Sequence, residues 1–185
     1  DGRESYPDQQ VLGLDQLTGS TSAKNVLTVG SFSMDDNGSN KGATEFSSAG
    51  PTNDFRIKPE ICGLGENLGV AAWAQDEPTA TDRYRASSGT SFASPAVAGG
   101  VALLQQLHKS TFDTYMDGAA MKALLCHTAD DITEWAGQDI TGPDVKTGYG
   151  AVNLEKAALL IEKDKKETLT IHSFELDQGE TETLY

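Results

Sequence analysis

The segment Ser87-Ser88-Gly89-Thr90-Ser91-Phe92-Ala93-Ser94-Pro95-Ala96-Val97-Ala98-Gly99 constrains this chain more than any other. Apart from Phe92 its side chains are small, and Val97, Val101 and Leu104 then recur at helical spacing. Small residues thus run straight into an apolar helix, with Pro95 expected in its first turn, where a missing N–H is harmless. Gly99 and Gly100 would each cost ~1 kcal/mol inside that helix. They are therefore expected to face a sheet or a neighbouring helix with no room for a Cβ. A serine at such a helix start has two readings. It can be a simple N-cap, or a nucleophile placed where unpaired N–H groups and the helix dipole favour developing negative charge.

Around this segment, strands alternate with helices. Val26 to Gly30 reads as a buried strand, and Val70 to Trp73 as a second short apolar stretch followed by a polar loop from Gln75 to Asp82. A second helix is expected near Ala119 to Ala129, with Met121, Leu124 and Leu125 as its stripe. A third starts at Asn153, a good N-cap, with Leu154, Ala158 and Ile161 on its face. Thr168 to Ile171 and Thr181 to Tyr185 turn β-like. The pattern predicts an α/β domain with the start of a β domain appended. The acidic turn at Asp35 fails the EF-hand frame, because Asn40 and Phe46 stand where Gly and Glu are required. Gly63-Leu64-Gly65 begins like a nucleotide fingerprint, but Leu68 replaces its third glycine.

The chain has 185 residues and a formal charge of -14, from 14 basic and 28 acidic side chains. That balance argues against a nucleic-acid partner, which needs clustered positive charge. The basic run Lys163 to Lys166 reads as a solvated helix end. No apolar run is long enough to span a bilayer. Cys62 and Cys126 have no metal-ligand spacing and are expected to be buried, unpaired thiols. Asp1-Gly2-Arg3-Glu4 shows neither an initiator Met nor an apolar leader, and Thr181 to Tyr185 reads as an interrupted strand. Both ends are expected to be interior to a longer protein.

Gly89-Thr90-Ser91-x-Ala93-x-Pro95 with Val97-Ala98-Gly99 resembles the nucleophile motif of the subtilisin-like serine proteases (subtilases, peptidase family S8). Other segments agree in the family's order. Ala23 to Gly30 resembles A-K-N-x-x-T-V-G, Phe46 to Thr52 resembles F-S-S-x-G-P-T, and Arg56 to Ile61 resembles R-I-K-P-D-I. Gly148-Tyr149-Gly150-Ala151-Val152-Asn153 resembles the G-x-G-x-V-N turn that closes the catalytic domain. Two departures stand out: Gly63-Leu64-Gly65 where the family usually has A-P-G, and Phe92 where many relatives have an oxidisable Met.

The resemblance implies a three-layer α/β sandwich around a mainly parallel sheet, of which this chain supplies the second half. Residues 1–163 would be the C-terminal part of the peptidase domain. Residues 164–185 would be a linker and the first strand of a C-terminal β-sandwich, as in bacterial alkaline proteases. Ser91 would be the nucleophile within Gly89, Thr90, Ser91, Ala93 and Pro95, and Asp1 and Gly2 would border the primary specificity pocket. His108, His127 and His172 all follow Ser91, whereas the family's chain order is Asp, His, Ser. The base, its Asp and the oxyanion Asn are therefore expected upstream of Asp1. The implied partners are a peptide or protein substrate and that missing N-terminal part. No cofactor is implied; calcium would be at most a structural ion, with no site assigned and no metal ligands. The implied location is extracellular or cell-surface. A pseudoprotease that keeps the fold as a binding module is the alternative. An α/β-hydrolase is disfavoured, since Ala93 breaks G-x-S-x-G.

Overall fold

The computed structural model describes residues 16–35, 37–38, 41–72, 83–135, 138–167, 171–172 and 176–182. After a 3-10 turn at Gly19–Ser22 come strands β1 (Val29–Met34), β2 (Lys41–Ala43), β3 (Ile61–Leu64), β4 (Leu68–Ala71) and β5 (Tyr84–Ser87). Helices α1 (Thr90–Phe112) and α2 (Gly118–Thr128), the short hairpin β6 (Glu134–Trp135) and β7 (Gln138–Asp139), and helix α3 (Leu154–Glu167) follow. The polar loop expected from Gln75 to Asp82, the Thr168 to Thr170 stretch and most of the terminal strand lie outside the described residues.

The central sheet is mixed, in the order β2-β1-β3. β1 and β3 run parallel, with Val29 opposite Ile61 and Gly30 opposite Cys62, whereas β2 returns antiparallel to β1. Ala151 extends the sheet beyond β3 through a parallel bridge to Cys62. Successive strand residues point to opposite faces. Val29 and Ile61 join a core built with Val97 and Leu104 of α1, Leu124 and Leu125 of α2, and Ala157 and Ile161 of α3. Each fully buried Ile or Leu there contributes roughly 1.5–3 kcal/mol by leaving water. Phe32, Cys62 and Leu64 look the other way, onto Ile132 and Ala151.

The motif Arg56-Ile57-Lys58-Pro59-Glu60 works as a stitch between the approach to β1 and the approach to β3. Lys58 is 1% exposed; its Nζ donates to Val26 O at 2.6 Å and Thr28 Oγ1 at 3.2 Å and pairs with Glu60 at 2.5 Å. Glu60 also accepts from the Thr28 N–H at 2.7 Å and pairs with Lys122 of α2. Burial lowers the Lys58 ammonium's pKa below its ordinary value, and Glu60 opposes that shift. Arg56 adds a bond to Ser22 O at 2.7 Å.

Capping follows the sequence at two helices. Asp117 accepts from the Ala120 N–H at 2.7 Å to start α2, and Asn153 Oδ1 accepts from the Lys156 N–H at 2.9 Å to start α3. Gly150, just before α3, has φ +110°, and a Cβ there would lie 2.1 Å from Asp130 O. The glycine of that turn is therefore fixed both by its backbone angle and by space.

Four expectations are corrected. The strand placed at Val26 to Gly30 begins at Val29 and runs on to Met34, because Val26 is exposed and gives its carbonyl to Lys58. Helix α1 begins at Thr90, so Pro95 lies beyond the first turn, and the donor it lacks would have reached Ser91 O. Of the two glycines, only Gly100 is packed: its Cβ would meet Leu154 Cδ1 at 2.5 Å, whereas Gly99 has open space. Both thiols are free, but Cys126 is only partly buried, whereas Cys62 is fully so.

Candidate active site

Ser91 stands exposed in the first turn of α1, a helix of 23 residues. Gly89 is the N-cap, with φ 154° and ψ 153°, a backbone conformation that side chains disfavour. Its carbonyl accepts from Phe92 N at 3.0 Å and Ala93 N at 3.4 Å. The N–H groups of Thr90 and Ser91 precede Phe92, the first N–H to bond within the helix start, and lie at the positive end of the dipole. Ala93 is fully buried behind Ser91, and Thr90 and Phe92 are half-buried, whereas Ser91, Ser94 and Pro95 face solvent.

The helix start is held from below by β3 and the residues that follow it. A Cβ on Gly63 would lie 2.8 Å from Ala93 O, and one on Gly65 would lie 2.3 Å from Ser31 Oγ and 2.9 Å from Gly89 O. Gly65 O accepts from the Gly89 N–H at 2.7 Å, and Ser88 Oγ accepts from the Asn67 N–H at 3.0 Å. Leu64, which stands where the family usually has Pro, lies within β3, opposite Phe32. The glycines of Gly63-Leu64-Gly65 thus let the strand approach the nucleophile motif. In the sequence the segment reads as a failed fingerprint and as a departure from the family's A-P-G, not as a packing surface. Its usable signal was the pair of glycines two apart, which share one strand face.

The histidines are elsewhere. His108 lies nearly five turns further along α1, about 25 Å from Ser91 at 1.5 Å per residue. Its Nδ1 meets Thr114 O at 2.7 Å. His127 is in the last turn of α2 and His172 lies past α3. Asp1 and Gly2 lie outside the described residues. Among the described residues no group of three or more His, Cys, Asp or Glu side chains could hold a metal ion. No helix among them is long and apolar enough to cross a membrane.

The sequence pattern of the Subtilase family, Peptidase_S8, matches residues 8–152. The chain belongs to the subtilase family. It is 30% identical over 131 residues to a PII-type proteinase of Lacticaseibacillus paracasei, covering 65% of this chain and 6% of that protein. It is 35% identical over 123 residues to the subtilisin-like protease SBT3.15 of Arabidopsis thaliana, covering 61% of this chain and 15% of that protein. Among solved structures it is similar to the Clostridium perfringens CspB protease, with TM-score 0.62, 26% identity, and coverage of 80% of this chain and 29% of that one. It is also similar to the patellamide maturation protease PatA, with TM-score 0.59, 27% identity, and coverage of 82% and 48%. The architecture is therefore that of the subtilisin-like α/β proteases, and the chain spans well under two thirds of each of these relatives.

Proposed function

We propose that this chain is the C-terminal part of the catalytic domain of a secreted subtilisin-like serine endopeptidase, with Ser91 as nucleophile. The observation that carries the reading is the exposure of Ser91 in the first turn of α1, on a start clamped by Gly65 and Gly89. Ser91 Oγ attacks the scissile carbonyl. A histidine upstream of Asp1 takes its proton and later gives it to the leaving amine, with an upstream Asp holding that histidine. The tetrahedral oxyanion is stabilised by the Ser91 N–H and an upstream Asn. Water then hydrolyses the acyl-enzyme. No cofactor enters this chemistry, and calcium would serve only as a structural ion. Upstream residues complete a three-layer sandwich, with Asp1 and Gly2 at the specificity pocket. Residues 164–185 lead into a β-sandwich. The charge of -14 suits an extracellular or cell-surface protein.

A serine without its base is a poor nucleophile; in subtilisin, loss of the histidine alone costs about 10⁶ in kcat. The 185-residue chain by itself is therefore expected to be inactive. The test is fluorophosphonate labelling and peptide hydrolysis, in this chain and in the longer protein. Labelling of the longer protein alone, abolished by Ser91→Ala, supports the reading. Robust hydrolysis by the short chain would make a downstream histidine the base. A longer protein with intact Asp and His but no hydrolysis would be a pseudoprotease.

A further inference from the structure

We propose that the cleft beside Ser91 selects a basic side chain, lysine or arginine, in the peptide substrate. The proposal deepens the proteolytic reading of Ser91 and rests on it. A cleft of about 620 Å³ opens between β1, β2 and the residue after Gly65, lined by Ser33, Thr44, Glu45, Phe46 and Glu66 among others. That is the size of an ordinary ligand site. Its Glu66 wall is tied to the start of the nucleophile helix. Glu66 lies between the two tethers already described, Gly65 O to Gly89 N and Asn67 N to Ser88 Oγ. Chain steps of 3.8 Å place its Cα about 15 Å at most from that of Ser91. An extended peptide rises about 3.3 Å per residue, so a side chain within a few residues of the scissile bond can enter.

The lining suits one chemistry. Phe46 is a half-buried aromatic surface for the aliphatic stem of a lysine or the plane of a guanidinium. Glu45 and Glu66 form no hydrogen bond or ion pair among the described residues. The cation whose field reaches Glu45 is Lys146, but its Nζ is buried and donates to Ser47 O at 2.6 Å. Both carboxylates therefore keep open acceptor sites beside an aromatic wall, and the Ser33 hydroxyl, which donates to Gly42 O at 3.3 Å, keeps its lone pairs for a cation's donors.

The test uses the longer protein carrying Ser91→Ala, so that bound peptide stays intact. Alanine-based octapeptides with one lysine moved along the chain are each paired with the glutamine peptide, and binding is read by titration calorimetry. At least one lysine position is expected to bind about ten-fold tighter than its glutamine match, with the gain shrinking at high salt. Glu45→Gln with Glu66→Gln should bring that ratio close to one. Equal binding in every pair, or a lysine preference untouched by the double substitution, would overturn the proposal. So would calcium that displaces the lysine peptides and itself depends on the two glutamates, because the cleft would then be a cation site. Hydrolysis by the Ser91 protein is scored separately. Cleavage without lysine selection leaves the protease reading standing and removes this one. Lysine-selective binding without cleavage does the reverse.

Discussion

Gly65 accepts a hydrogen bond from the Gly89 N–H at 2.7 Å, and so ties the end of β3 to the residue that caps the nucleophile helix. No side chain fits at this joint: a Cβ on Gly65 would lie 2.3 Å from Ser31 Oγ and 2.9 Å from the Gly89 carbonyl. Gly65→Ala must move either β1 or the helix start. The second movement tilts the Ser91 N–H away from a forming oxyanion. In the active longer protein, kcat should fall by about 10-fold or more, with KM changed far less, since a donor aimed at the oxyanion is worth about 10²–10³. A loss confined to KM would show that the joint does not position Ser91.

The two helix glycines give different expectations. Adjacent residues are about 100° apart around a helix, so Gly100 meets Leu154 while Gly99 faces open space. Gly99→Ala should raise stability by about 0.5–1 kcal/mol through helix propensity. Gly100→Ala should gain less than Gly99→Ala or lose stability, because its Cβ would lie 2.5 Å from Leu154 Cδ1 and the Leu154 side chain must turn aside where α1 packs on α3. Thermal melts of the two variants check the difference; equal shifts would mean that α3 is not seated against Gly100.

Ser91 and its helix were legible in the sequence because their signals are local: small residues, then apolar side chains at helical spacing. The packing beneath them was not, because it depends on β3 pairing parallel to β1, a contact between segments far apart in sequence. Gly99 and Gly100 read alike until the seating of α3 on α1 is known, and the helix start at Thr90 puts Pro95 beyond the first turn. β2 and β5, with the sequences KGA and YRAS, carry no hydrophobic pattern and become strands only by pairing with β1 and β4. The cleft at Glu45 and Glu66 was invisible for the same reason. Its walls lie in separate segments brought together by the sheet and by the Gly65–Gly89 joint.

The two thiols should differ in access and agree in reluctance. Burial pushes Cys62 up to about 12 and Cys126 up to about 11, so neither is a thiolate at neutral pH. In native protein a disulfide reagent should modify Cys126 slowly, faster as pH rises toward 11, and leave Cys62 untouched. After denaturation without reductant, both should titrate at ordinary rates. Fewer than two thiols per chain would contradict the unpaired state seen here.

Asp130 gathers three partners. Its carboxylate takes Lys156 Nζ at 2.6 Å, pairs with Lys41, and accepts from Asn153 Nδ2 at 3.1 Å. It thereby joins the β2 edge to the capped start of α3. The hydrogen bonds from Lys156 and then Lys41 hold its carboxyl at about 2, against an ordinary 3.8. A carboxylate whose pKa is depressed on folding stabilises the fold in its charged form. That contribution is complete above the unfolded value near 4 and is lost as pH falls through about 2. Since Asp130 is partly exposed, the screened contribution is about 1–2 kcal/mol rather than the full shift. Asp130→Asn should therefore lower stability by about that amount at pH 7. The gap between wild type and variant should narrow from pH 4 downward and close near pH 2. Denaturant titrations across that range check it, and a gap that stayed constant with pH would show that the ion pairs do not supply the stabilisation.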